Sequence, residues 1–211
     1  MLFLNRRDAA QKLIHRLKKY QENKDVVILG LPRGGVVLAA EIANDLNVPL
    51  DIIVSRKIGA PQNPELAIGS LTQEGNTILN EELVATLNIP QSYIDQKVQE
   101  EIHEIHRRLK LYRNGKNELD LKGKIAILVD DGIATGSTMF AAIKSTKAKD
   151  AKKIIVAVPV ASLETIKKIE HEVDEVICLY TPENFMSIGS FYEFFDQVDD
   201  AKVIELMKKN K

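Results

Sequence analysis

Residues 124–138, KIAILVDDGIATGST, constrain what this chain can fold into more than any other stretch. Ile125 to Val129 is apolar, rich in β-branched residues and too short for a helix, which predicts a parallel strand buried on both faces. Two carboxylates follow, Asp130 and Asp131, then the turn Gly132-Ile133-Ala134-Thr135-Gly136-Ser137-Thr138 and helical spacing from Met139. The order is strand, acid pair, small hydroxyl-rich turn, helix.

Each part has a chemical use. A helix start leaves its first four N–H groups without intrahelical partners and is the positive end of the macrodipole. A turn with little side-chain bulk lets those amides approach an anion, and Thr135, Ser137 and Thr138 add hydroxyl donors. Residues 134–138 therefore form a socket for one phosphate. Asp130 and Asp131 would repel that phosphate, so their partners should be hydroxyl groups, such as the 2′- and 3′-hydroxyls of a ribose. A 5′-phosphorylated ribose matches both halves. The competing reading, a solvated strand end before a well-capped helix, requires three features to coincide by chance.

ILVDDGIATGST resembles the signature of type I phosphoribosyltransferases, in which an apolar strand, two acids and a hydroxyl-rich turn bind the ribose 5-phosphate of phosphoribosyl pyrophosphate. Gly132 departs from the pattern, standing where the family more often carries a larger aliphatic residue. That departure should loosen one side of the loop without removing a ligand. The chain looks most like the small, uncharacterised bacterial proteins of this type.

Size and charge agree. At 211 residues, 45% of them hydrophobic, the chain can bury a sizeable core, and it is expected to form a single domain over 1–211. A formal net charge of −1 gives no basic field for nucleic acid. No apolar run is long enough to cross a bilayer. The N-terminus turns charged at once, unlike a secretory signal, and the one cysteine, Cys178, rules out an intrachain disulfide framework. A cytoplasmic location is the expectation.

Taken in order, residues 5–20 carry helical spacing with Asn5 or Asp8 as cap, and Asp25 to Gly30 reads as the first buried strand. It runs into Leu31-Pro32-Arg33-Gly34-Gly35 and a helix from about Val36 to Leu46. This glycine-rich turn lacks the dinucleotide spacing, and Val36 sits where a Walker loop needs lysine. What remains is a turn presenting amides, with Arg33 adding planar charge for an anion. It resembles the pyrophosphate loop of phosphoribosyltransferases at Pro32, Arg33, Gly34 and Gly35.

Pro49 to Val54 reads as a strand ending at Ser55-Arg56-Lys57. Residues 58–64 then read as a loop with two prolines. The resemblance makes Lys57, and behind it Arg56, a further pyrophosphate contact beside a loop that closes. Leu66–Leu71 and Asn76–Leu79 suggest a hairpin flap. Residues 80–115 read as a helical insertion whose Ile94, Val98, Ile102, Ile105, Leu109 and Tyr112 share one face. His103 and His106 lie among glutamates on it, a polar face rather than a metal site. Lys153 to Val158, Ser162 to Glu170 and Val173 to Leu179 read as strand, helix and strand. The C-terminal hood, about 181–211, holds five of the eleven Phe and Tyr residues. Phe185 and Tyr192 are candidates for stacking a base, with packing of a lid as the alternative.

Strands alternating with helices predict a mostly parallel sheet with helices on both faces, its ligands beyond the strands' carboxyl ends where strand order reverses. The resemblance implies transfer of a 5-phosphoribosyl group from Mg²⁺-bound phosphoribosyl pyrophosphate to a small nitrogenous base, releasing pyrophosphate. Asp130, Asp131 and Arg33 would be catalytic, with Asp130 and Asp131 reaching Mg²⁺ through water. Expected partners are the donor and the base, with a homodimer admissible and neither nucleic acid nor membrane. Two alternatives keep the socket: a sensor of the donor or of a nucleotide without turnover, and a sugar-phosphate or nucleotide hydrolase.

Overall fold

The computed structural model describes residues 2–209, so the last two positions of the expected hood lie outside the described residues. Five strands form an all-parallel sheet: β1 (Val26–Gly30), β2 (Leu50–Ile52), β6 (Ile125–Val129), β7 (Lys153–Val160) and β8 (Glu175–Tyr180), in the order β2-β1-β6-β7-β8. Three more strands, β3 (Arg56–Ala60), β4 (Asn63–Leu71) and β5 (Thr77–Leu79), form a separate antiparallel sheet. The expected α/β fold with a mostly parallel sheet is present.

Alternation along the strands divides the core. Val26, Ile28, Ile127, Val129, Ile155 and Ala157 face the helices α1 (Arg6–Leu17) and α2 (Gly34–Leu46). Val27, Leu29, Ala126, Leu128, Ile154, Val156 and Val158 face α5 (Ser137–Ala148) and α6 (Leu163–Glu170). Both faces are covered, so these strands read as unbroken apolar runs rather than alternating ones.

The insertion forms α3 (Glu81–Thr86), which Asn80 caps by accepting from the Leu83 amide at 3.0 Å, and α4 (Gln91–Arg113), which ends at left-handed Asn114. The α4 stripe packs, with α7 (Asp200–Lys209), against the small sheet; His103 and His106 point to solvent.

Two expectations need correction. Residues 58–64 do not make an open loop: Arg56–Ala60 pairs antiparallel with Asn63–Leu71, with register shifts around Gly59 that accommodate the proline-rich tip. And β7 runs through Pro159 to Val160; the parallel bridge from Ile133 to Ala161 continues the pairing beyond it.

The register positions the site. Gly30 pairs with Val129, so β1 and β6 end at the same level. From β1 the chain passes to β2 on one side, while β6 lies on the other. The reversal of strand order thus falls between β1 and β6, where such sheets bind ligands.

Candidate active site

The two turns expected to cooperate touch. A Cβ built on Gly35 would lie 2.6 Å from the Val129 carbonyl oxygen and 2.8 Å from Asp130 Cα. One on Gly34 would lie 2.7 Å from Asp131 Cγ. Only residues without a side chain let the 31–35 turn lie this close against the acid pair.

Both turns open onto helices whose starts carry no side-chain cap. Side chains of Asn5, Asn80 and Ser162 cap α1, α3 and α6, whereas Arg33 before α2 and Gly136 before α5 make no side-chain cap bond. Gly136, at φ +80°, adopts a left-handed turn that a side chain would strain. The positive ends of the α2 and α5 macrodipoles therefore both face the crevice, an arrangement that favours negative charge there.

The 134–138 turn is held from below. Thr165 Oγ1 donates to the Ala134 carbonyl at 2.7 Å, and Ile133 N donates to the Val160 carbonyl at 2.9 Å. Thr135 and Ser137 hydroxyls lie 3.3 Å apart at the surface. Ser55 Oγ donates to the Thr138 carbonyl at 2.8 Å, fastening the end of the turn to the segment after β2.

The two carboxylates differ in surroundings. Burial, and then the neighbouring Asp131 charge, push the Asp130 carboxyl well above the usual range, and its Oδ1 accepts the Asp131 amide at 2.8 Å. Asp131 has a cationic partner: Arg6 Nε lies 2.8 Å from Oδ2, both side chains being nearly buried. Arg6 also donates through Nη1 to the Asp196 carbonyl at 2.7 Å, and its guanidinium lies 3.9 Å over the Phe195 ring. An acid pair beside one cation carries less repulsion toward a polyanion than two bare carboxylates.

A family model described as a phosphoribosyl transferase domain matches residues 4–193, which include both turns and the acid pair. The chain belongs to the phosphoribosyl transferase family. It is 39% identical over 208 residues to a Mycobacterium tuberculosis protein, known from two strains, that is provisionally described as a phosphoribosyl transferase. That match takes in 99% of this chain but 47% of the relative, so the chain spans about half the length of the curated relatives it matches. The crystal structure of TT1426 from Thermus thermophilus is similar over 100% of this chain and 99% of that one, with a TM-score of 0.82 and 35% identity. AQ2163 from Aquifex aeolicus shares the fold at a TM-score of 0.53 and 14% identity, over 87% of this chain and 78% of its own.

For a phosphoribosyl transferase fold the sequence-derived residues divide into two groups. Pro32, Arg33, Gly34, Gly35, Asp130, Asp131, Ala134, Thr135, Gly136, Ser137 and Thr138 fall on the two adjoining turns. The Pro32–Arg33 peptide is cis, and Arg33 Nη1 lies 3.9 Å from Asp200 Oδ1 at the start of α7. The others lie elsewhere. Lys57 is paired with Glu65 at 2.8 Å and lines a cleft between the β3–β4 hairpin and α4 with Tyr93, Gln96 and Glu101. Arg56 is held by Glu101.

Tyr192 cannot stack a base. It is 5% exposed, its hydroxyl donates to the Asp131 carbonyl at 2.6 Å, and burial followed by the Asp131 charge raises its phenol far above its ordinary pKa. It braces the acid pair instead. Phe185 is half-buried against Phe191, ring centroids 5.4 Å apart, so it too packs the hood. Nor is the loop loose at Gly132: Ile188 of the hood fills that side, and a Cβ there would come within 2.6 Å of its Cγ2.

The hood is two-sided, which the sequence reading missed. Phe3 N donates to the Phe191 carbonyl, Glu193 N to the Phe3 carbonyl and Phe194 N to the Leu4 carbonyl, at 2.8, 2.8 and 2.9 Å. The N-terminal segment is thereby tied to the C-terminal one, and Arg6 is delivered to Asp131. Nothing local to Asn5-Arg6-Arg7 distinguishes it from an ordinary helix start.

Among the described residues no group of three or more His, Cys, Asp or Glu side chains is arranged to hold a metal. With Asp131 engaged by Arg6 and one Asp130 oxygen by an amide, the donor set fits an ion held mainly by a ligand's own oxygens.

Proposed function

We propose that this chain transfers a 5-phosphoribosyl group from Mg²⁺-bound phosphoribosyl pyrophosphate to a small nitrogenous base. One observation carries the reading: the contact of Gly34 and Gly35 with Asp131 and Asp130, which makes two anion-binding helix starts and an acid pair into one crevice. The donor has the matching order of groups: phosphate, ribose diol, pyrophosphate.

In this reading Thr135, Gly136, Ser137 and Thr138 hold the 5-phosphate, with Ala134 fixing the turn. Asp130 and Asp131 accept from the ribose hydroxyls. Pro32, Arg33, Gly34 and Gly35 receive the pyrophosphate. The bond from the anomeric carbon to pyrophosphate oxygen breaks, its electron pair leaving with pyrophosphate, and a bond to the acceptor nitrogen forms as its proton passes to water. The ribose becomes oxocarbenium-like on the way, so the chain's task is to fix the geometry and stabilise charge growing on the leaving group. Asp130 and Asp131 would hold Mg²⁺ through water, and the ion would supply charge that stabilises the leaving pyrophosphate.

Incubation with the donor, Mg²⁺ and a panel of purine, pyrimidine and pyridine bases, read by pyrophosphate release, tests the proposal. Base-dependent release is expected. Release of free ribose 5-phosphate without any base would make the chain a hydrolase, and saturable binding without turnover in every arm would make it a sensor.

A further inference from the structure

Arg6 lies outside both turns, yet it reaches into the crevice from the N-terminal helix. Its position is fixed on three sides: by Asp131 at 2.8 Å, by the Asp196 carbonyl at 2.7 Å and by the Phe195 ring at 3.9 Å. Its Nε is also 3.1 Å from where a Cβ on Gly34 would stand, so it touches the pyrophosphate turn as well as the acid pair. Beyond it a cavity of about 390 Å³ is lined by Arg6, Arg33, Gly34, Phe195, Asp196, Gln197 and Val198. A guanidinium has five N–H donors. Asp131 takes one and Asp196 another, which leaves three.

We propose that Arg6 is a binding residue of the donor site, its remaining donors gripping the pyrophosphate across the cavity from Arg33. The inference rests on the reading of the crevice as a phosphoribosyl pyrophosphate site and adds a residue to it. Two features favour a pyrophosphate role over a purely structural one. Arg6 is immobilised before any ligand arrives, so little side-chain freedom is lost when an anion binds. And an arginine can hold a carboxylate, a carbonyl and a phosphate oxygen together, because its donors diverge in one plane. Lysine, with a single nitrogen, cannot span the three.

The geometry also links the two ends of the donor. Asp131 meets the ribose diol and Arg6 the leaving group, and the ion pair between them fixes their separation. The hood makes this possible, since Asp196 and Phe195 belong to the C-terminal segment that pairs with residues 3 and 4.

Calorimetric titration of the full chain with inorganic pyrophosphate, with ribose 5-phosphate and with the donor, each with Mg²⁺, separates the possibilities. Arg6→Gln is expected to weaken pyrophosphate and the donor roughly ten- to hundredfold, the scale of a lost charge-assisted hydrogen bond. Ribose 5-phosphate should change less than threefold. Arg6→Lys should recover only part of the pyrophosphate affinity, and thermal unfolding of both variants checks that the helix is intact. Arg7→Gln is the control: Arg7 pairs with Glu41 at 3.0 Å on the exposed side of the same helix, and should bind like wild type. Unchanged pyrophosphate affinity in Arg6→Gln, or equal losses for pyrophosphate and ribose 5-phosphate, overturns the assignment. If wild type binds pyrophosphate through Arg6 but not the donor, the functional reading fails while the Arg6 site stands. If wild type binds neither, both fall.

Discussion

Gly34→Ala isolates the contact between the two turns. Its new Cβ would sit 1.9 Å from Asp131 Oδ2, 2.7 Å from Asp131 Cγ and 3.1 Å from Arg6 Nε. Relaxed carbon–oxygen contact needs about 3.3 Å, so the carboxylate must retreat by roughly 1.4 Å. The Arg6–Asp131 bond, now 2.8 Å, would lengthen beyond hydrogen-bonding range. What yields is the end of a side chain rather than backbone, so the fold should lose only about 1–2 kcal/mol, within the range of small overpacking changes. The donor should lose more, about 1.5–3 kcal/mol of binding, because both a ribose contact and the orientation of Arg6 are disturbed. Gly35→Ala presses on backbone instead, at Val129 O and Asp130 Cα, and should destabilise the fold more than Gly34→Ala does. Thermal unfolding and calorimetry with Mg²⁺ and phosphoribosyl pyrophosphate, run on each variant, give the two readouts. A Gly34→Ala protein with wild-type donor affinity would refute the claim that this close approach builds the site.

Other expectations follow from the same geometry. The Asp130 pKa is raised above its ordinary 3.8, so the folded form binds the proton more tightly and stability falls as pH rises through the raised value. Asp130→Asn keeps an acceptor for the Asp131 amide and removes that decline; its unfolding temperature should exceed wild type by a margin that grows as pH rises above 3.8, while donor affinity drops. Glu175 behaves oppositely: burial raises its pKa, but hydrogen bonds from Lys19, Lys153 and Tyr20 hold it down to about 2. Its contribution is therefore present above about 4.5 and lost as pH falls through about 2, so a Glu175→Gln variant should be less stable than wild type at pH 7, by a margin that shrinks as pH falls toward 2. Gly132→Ala should cost about 1–3 kcal/mol by pushing on Ile188, and a double variant with Ile188→Ala should recover part of it in a thermodynamic cycle.

Much of this architecture was legible because burial on both faces writes a strand as an unbroken apolar run, as at Ile125–Val129 and Lys153–Val158. Helix caps were equally readable at Asn5, Asn80 and Asn114, where one side chain or one left-handed residue decides the boundary. The β3 strand was not: Gly59, Pro61 and Pro64 are loop punctuation locally, and only pairing with a bulged partner makes Arg56–Ala60 a strand. Helix α7 went unread within the hood, although Val203, Leu206 and Met207 stand at helical spacing and are buried. The two turns of the site could be found because each follows its own strand. Arg6 and Tyr192 could not be assigned their roles, since both depend on the hood joining the chain's two ends. Aromatic enrichment at 185–195 signalled packing or stacking equally, and the hydroxyl of Tyr192 on the Asp131 carbonyl decides for packing there.

Crystals grown with Mg²⁺ and phosphoribosyl pyrophosphate, or a non-hydrolysable analogue, test the central claim most directly. Density should show the 5-phosphate on the amides of residues 135–138, the ribose diol at Asp130 and Asp131, and the pyrophosphate between Arg33 and Arg6. A donor found instead in the cavity at the opposite end of the sheet, beside Asn47, Asp51 and Arg113, would contradict it.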